Sequence, residues 1–164
     1  TESAVIGAVI ALITLMRGCY VPPVNAPIVD PFRAPACAFC AGNRGLEYQP
    51  APGSTVIAAG PGVVRFSGVV AGVRYLVIDQ TDGRAATYGR LGITRVALGA
   101  VIRQGDVLAT TTERFFFGLR EDQRYVDPAP FLGQARYRPR LVPTGDWPRR
   151  RAPPPVMVCA RWAT

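Results

Sequence analysis

Cys37-Ala38-Phe39-Cys40 is the short motif in this chain whose residue types and spacing suit chemistry most directly. A C-x-x-C can be a redox pair, half of a zinc site, or a short disulfide. Zinc would need two further ligands. The other cysteines, Cys19 and Cys159, lie far off in sequence and form no second C-x-x-C. A thioredoxin-like pair should open a helix after a strand, and Pro35 and the following glycines do not suggest that setting. In an exported domain the plain reading is a local disulfide, Cys37–Cys40, that stiffens its loop. A second feature bounds the chemistry more tightly: the chain contains no histidine. Imidazole is the commonest metal ligand and the usual general base near neutral pH. All 19 basic residues are arginine, and guanidinium stays protonated, so none can replace histidine as a base.

The elements that would position such residues read as β-structure. Thr55–Ala58 is followed by the turn Gly60-Pro61-Gly62. Val63–Val70 is a strand interrupted at Gly68, and Val73–Gln80 is apolar and β-branched. Thr81-Asp82-Gly83-Arg84 is a hairpin turn of the Asp-Gly type. Ala85–Leu91 returns, Val101–Ala109 holds a turn and a strand, and Arg114–Arg120 is a further strand. Short strands at this spacing, with 17 Gly and 16 Pro to break them, predict an all-β sandwich or barrel of one domain.

The ends differ from this middle. Residues 4–16 form an apolar run of about 13 residues. That is short for a bilayer span, which takes about 20, and right for the core of a signal peptide or anchor. Met16-Arg17-Gly18-Cys19 faintly resembles a lipoprotein cleavage box, which makes Cys19 a candidate for lipidation. We divide the chain into this segment (1–19), a Pro-rich extended segment (20–36), a β domain (37–133) and an Arg/Pro-rich, irregular basic tail (134–164). From Tyr20 to Gly133 there are 11 Arg against 9 acids; the tail has 7 Arg against Asp146 alone. The basic balance therefore belongs to the tail, which suits anionic lipid or wall polymer, and the near-neutral domain offers no stripe for specific nucleic-acid binding.

The order of the pieces resembles the lysostaphin/LytM-type metallopeptidases, zinc endopeptidases that cut peptidoglycan cross-links. Asn43-Arg44-Gly45-Leu46-Glu47 stands where that family carries H-x-G-[IL]-D, and Arg114-Phe115-Phe116-Phe117 where it carries H-L-H-F. Residues 52–64 are similar to P-x-G-T-P-V-x-A-x-x-x-G-x-V, and Ala86–Leu91 to T-x-Y-x-H-L. Gly99–Leu108 is similar to G-x-x-V-x-x-G-x-x-I, and Val126–Leu132 to the closing x-D-P-x-x-[YF]-L. The match spans roughly residues 24–133.

The resemblance implies an all-β, LytM-type barrel-sandwich domain of duplicated hybrid-motif kind. It places Asn43, Glu47 and Phe116 at the former zinc-ligand positions, and Arg90 and Arg114 at those of the assisting histidines. A catalytic zinc takes three protein ligands and leaves one position for water. Phe116 can bind nothing and Asn43 would be a weak carbonyl ligand, so hydrolysis by the family mechanism is not expected and no cofactor is implied. Degenerate members act as activators or adaptors. The expected role is thus binding to peptidoglycan or stem peptides, or to a cell-wall hydrolase or division partner, in a bacterial cell envelope, exported or anchored on the outer face of the cytoplasmic membrane. If the fold is kept, Glu47 should pair with Arg90 and Arg114, and the arginines with Tyr88 nearby could hold a carboxylate. The alternatives are an endopeptidase with a metal site rebuilt from Glu47, Asp79 or the C-x-x-C, and a tail that binds nucleic acid.

Overall fold

The computed structural model describes residues 19–37, 39–136 and 156–159. The apolar run at 4–16 and most of the basic tail lie outside the described residues. In chain order the strands are β1 (Ile28–Asp30), β2 (Leu46–Tyr48), β3 (Thr55–Ile57), β4 (Gly62–Val70), β5 (Val73–Gln80) and β6 (Ala85–Thr94). They continue as β7 (Val101–Ile102), β8 (Val107–Glu121), β9 (Arg124–Val126), β10 (Gln134–Arg136) and β11 (Val156–Val158), with one 3-10 turn at Ala129–Phe131. The fold is all-β. A single sheet runs β1-β2-β8-β6-β5-β4-β7, and β3 and β9 also pair with β8. Among the described residues no helix is long and apolar enough to cross a membrane.

Two tight hairpins set the registers. Ala71-Gly72 joins β4 to β5 and Asp122-Gln123 joins β8 to β9, and all four residues have positive φ. That is the type I′ geometry, whose twist matches the strands it connects. The spine is β8. Its first half pairs with β3 and the end of β6; its second half pairs with β2, β9 and the start of β6. The sequence suggested two separate strands here, because Thr110-Thr111-Thr112-Glu113 is polar. The strand continues because threonine is β-branched and because buried Thr111 donates its hydroxyl to the Ala51 carbonyl, 3.0 Å away.

Alternation, interrupted at the bulges, points one face of the sheet into the core. Leu46, Phe117, Tyr88 and Leu76 lie in one cross-strand row, each fully buried or nearly so. The Tyr88 ring sits 5.3 Å from Phe117 and 6.4 Å from Phe115, at tilted angles suited to aromatic pairs.

The two ends of the domain meet. Tyr20 bridges to Leu132 in parallel, and its hydroxyl donates to Asp82 at 2.6 Å. Arg84, 4% exposed, holds Asp82 at 2.6 Å and Glu121 at 2.7 Å and lies 4.3 Å over the Phe131 ring. Beyond them, β10 pairs with β11, and Cys19 is disulfide-bonded to Cys159. This corrects two expectations. The segment after Gly133 is not irregular throughout, since its two described stretches form a ladder. Cys19 in this state has no free thiol to carry a lipid, because its sulfur is bonded to a residue 140 positions away.

Candidate functional site

On the face opposite the core lies the neighbouring cross-strand row. Glu47 on β2 pairs with Phe116 on β8, Phe116 with Gly89 on β6, and Gly89 with Tyr75 on β5. Arg114 precedes Phe116 by two residues and so shares its face of β8. Gly89 is required by close approach: a Cβ there would stand 2.6 Å from the Tyr75 ring. Gly45 is required likewise, since its Cβ would meet the Phe116 ring at 2.7 Å. The Phe116 ring therefore packs closely against Gly45 and Gly118.

Arg90 reaches this face through a bulge. In a regular strand Tyr88 and Arg90 would point the same way, into the core. Arg90 instead has φ 60° and the β6–β8 register shifts between Gly89 and Leu91. The parity flips there: Tyr88 and Leu91 are buried while Arg90 is exposed. The Thr112 hydroxyl lies 2.9 Å from the carbonyls of both Arg90 and Arg114, which share its single proton, and so pins the bulge against β8.

The outcome is an ion triad. Arg90 Nη2 donates to Glu47 Oε1 at 3.1 Å and Arg114 Nη1 to Glu47 Oε2 at 3.2 Å. Each carboxylate oxygen has its own guanidinium. The carboxylate is 15% exposed, whereas Arg90 and Arg114 are 43% and 55% exposed. On the neighbouring strand, Asp30 pairs with Glu47 in register and is salt-bridged to Arg33. The Arg33 hydrogen bond holds the Asp30 carboxyl below the ordinary carboxylate range. The two acids thus stand on β1 and β2 and the two site arginines on β8 and β6.

These residues do not fit zinc. The Asn43 carbonyl oxygen accepts from the Gly45 N–H, and its amide donates to the Asp30 and Pro31 carbonyls at 3.1 and 3.0 Å. Asn43 has become a buried loop clamp. Both Glu47 oxygens are engaged by arginine, and Phe116 has no donor atom. The other metal candidates are spoken for: Asp79 is paired with Arg65 at 2.9 Å in a separate polar hollow, and Cys37 and Cys40 are joined by a disulfide. Among the described residues no three His, Cys, Asp or Glu side chains come together to hold a metal ion.

Tyr88 is a correction. It is not in the groove: its hydroxyl accepts from the buried Ala59 N–H at 2.9 Å, and burial pushes the phenol well above its ordinary pKa. The tyrosine at the site is Tyr75, which the sequence reading missed. It walls a hollow of about 230 Å³ with Arg44, Glu47, Arg90 and Phe116. Tyr75 and Arg90 also line a larger open groove of about 750 Å³, shared with Arg74, Thr112, Glu113 and Arg114. Alternation within Val73–Gln80 could have put Tyr75 opposite Leu76, but only the β5–β6 register brings it to Gly89.

The fold is similar to that of several solved structures. Helicobacter pylori Csd3 superposes with a TM-score of 0.63 at 21% identity, covering 72% of this chain and 36% of that one. The catalytic domain of lysostaphin from Staphylococcus simulans gives 0.57 at 16%, covering 65% and 92%. A structure of the SpoIIQ–SpoIIIAH pore-forming complex gives 0.61 at 16%, covering 71% and 92%. The present chain therefore spans about a third of the length of the Csd3 structure it resembles. No curated protein matches the sequence. Peptidase family M23 matches over residues 41–128, more than half the chain. With its lysostaphin-type fold, no histidine in its sequence and no metal-holding cluster among the described residues, this chain belongs to peptidase family M23 as a degenerate member.

Proposed function

We propose that this domain works by binding at the cell envelope, not by hydrolysis. Its ligand in this reading is peptidoglycan through its stem peptides, with a cell-wall hydrolase or division protein as the alternative occupant of the same groove. One observation carries the reading: the retained acid of the site, Glu47, has both oxygens held by guanidinium groups. A peptidase needs a metal to bring bound water near neutral pKa and a base to take its proton. Arg90 and Arg114 supply positive charge, but no exchangeable coordination position and no base. What remains is a groove with two half-exposed cations, which suits recognition of anionic groups by charge-assisted hydrogen bonds.

The test is a pair of assays on the full chain. Muropeptides incubated with the protein, with and without added zinc, should stay uncut. Purified sacculi should retain the wild type and release an Arg90→Ala/Arg114→Ala variant. Zinc-dependent cleavage would remove the non-hydrolytic reading, and equal retention of both proteins would remove the groove as the binding surface.

A further inference from the structure

Glu47 occupies its two arginines in the way an incoming ligand would. A carboxylate with one guanidinium on each oxygen, at 3.1 and 3.2 Å, is a bound carboxylate. The chain therefore carries a demonstration of what its arginine pair accepts. Glu47 sits beneath, largely covered, while Arg90 and Arg114 rise to half exposure above it. Ion pairs whose cations face solvent in this way are weak. Next to them opens the groove of about 750 Å³, room for a few residues of extended peptide. Its wall holds Arg74, which makes no salt bridge among the described residues, with Tyr75 and Thr112; Glu113 is the one acid in its lining.

We propose that Arg90 and Arg114, with Arg74 behind them, form a capture site for the C-terminal carboxylate of a short peptide, and that Glu47 is its built-in competitor. A ligand carboxylate takes the guanidinium hydrogen bonds from the solvent side as Glu47 gives them up. Affinity in the wild type is then set by exchange of one carboxylate for another, and it is lowered by whatever Glu47 gains from staying. This rests on the binding reading above and deepens it by naming the ligand group and the residue that restrains it. A carboxylate is favoured over a phosphate because the pair already presents one donor to each of two oxygens lying in a plane.

The experiment is an NMR titration of the full, disulfide-intact chain at low salt with three probes: acetyl-Ala-Ala as the free acid, the same peptide as its C-terminal amide, and inorganic phosphate. The free acid should shift the Arg90, Arg114 and Tyr75 resonances, and the amide should not. Phosphate should bind at least tenfold more weakly than the acid. Glu47→Gln, which keeps the shape and removes the charge, should tighten the acid by about tenfold, the combined worth of two exposed pairs. Arg90→Gln/Arg114→Gln should abolish binding. Circular dichroism of each variant separates lost folding from lost binding, and the acid–amide comparison needs no variant at all. Equal binding of acid and amide overturns the proposal, as does phosphate binding as tightly as the acid. If sacculi are retained through the arginines but Glu47→Gln changes nothing, the competitor idea alone fails. If Glu47→Gln tightens the acid while sacculi are never retained, the site stands and the wall reading fails.

Discussion

Glu47 is the residue on which the site balances. It is largely covered, and its charge is met by two cations that are not. Removing one arginine leaves the other in place, so single variants should be mild. Removing both leaves a mostly buried carboxylate with no partner, and an unpaired polar group of that kind costs more than the pairs themselves contributed. Arg90→Ala/Arg114→Ala should lose about 1–2 kcal/mol in urea unfolding, more than twice either single variant. A third variant that adds Glu47→Gln to the pair should recover most of the loss. If the loss is additive, or if the added Glu47→Gln rescues nothing, the triad is not an energetic unit. Arg90 also shows how a side chain can be right in identity and unexpected in route. It reaches Glu47 only because φ 60° and a register shift turn it outward.

At the scale of elements, alternation and glycine turns made most of the sheet legible. Val63–Val70, Val73–Gln80 and the start of β6 follow β-branched, period-two patterns, and β4 and β5 form close to the expected limits. The site was legible for a different reason: Glu47, Arg90 and Arg114 stand at fixed places in motifs that the fold brings together. Features that depend on registry between strands were hidden. Tyr88 looked like a groove residue because it sits two places before Arg90, and one bulge reverses that inference. Tyr75 and Arg74 are on a strand whose neighbour is known only once β5 and β6 are paired. The polar run in β8 looked like a break, and its hydrogen bonds to Ala51 and the β6 bulge make it continuous. The turn Asp122-Gln123 carries a local conflict of its own. Gln123 holds φ 66° without being glycine, in a type I′ turn where Asp-Gly is strongly preferred. Gln123→Gly should stabilise the domain by about 1 kcal/mol, relieving left-handed strain. A lower urea midpoint in that variant would show that the Gln123 side chain makes a contact worth more than the strain.

The whole molecule is held by how its ends are tied and by what its core excludes from water. Tyr20, Tyr48 and Tyr88 are buried, and desolvation raises all three phenols well above their ordinary range. In the unfolded chain they ionise near pH 10. The folded state keeps its protons there while the unfolded state loses them, so stability is present in full below about pH 10 and falls as pH rises beyond it. Absorbance at 295 nm should show these three tyrosines ionising only together with loss of the β signal in circular dichroism; ionisation before unfolding would mean that they are wetter than their packing indicates. The two disulfides should contribute very unequally. Cys37–Cys40 has a sequence separation of 3 and Cys19–Cys159 one of 140. If a cross-link acts mainly by shrinking the unfolded ensemble, its effect grows with the logarithm of the loop, to about 5 kcal/mol for the long closure and about 2 for the short one. The long one also ties Tyr20 and the β10–β11 ladder to the same end of the sheet, where Arg84 joins Asp82 and Glu121 under Phe131. Cys19→Ser/Cys159→Ser should therefore lower stability by several kcal/mol, and Cys37→Ser/Cys40→Ser by no more than about 2. The site should respond in the opposite order. The short disulfide lies in the loop that Asn43 closes and that leads into Glu47, so its loss should disturb the arginine-site resonances, while loss of the long clasp should leave them in place until the domain unfolds.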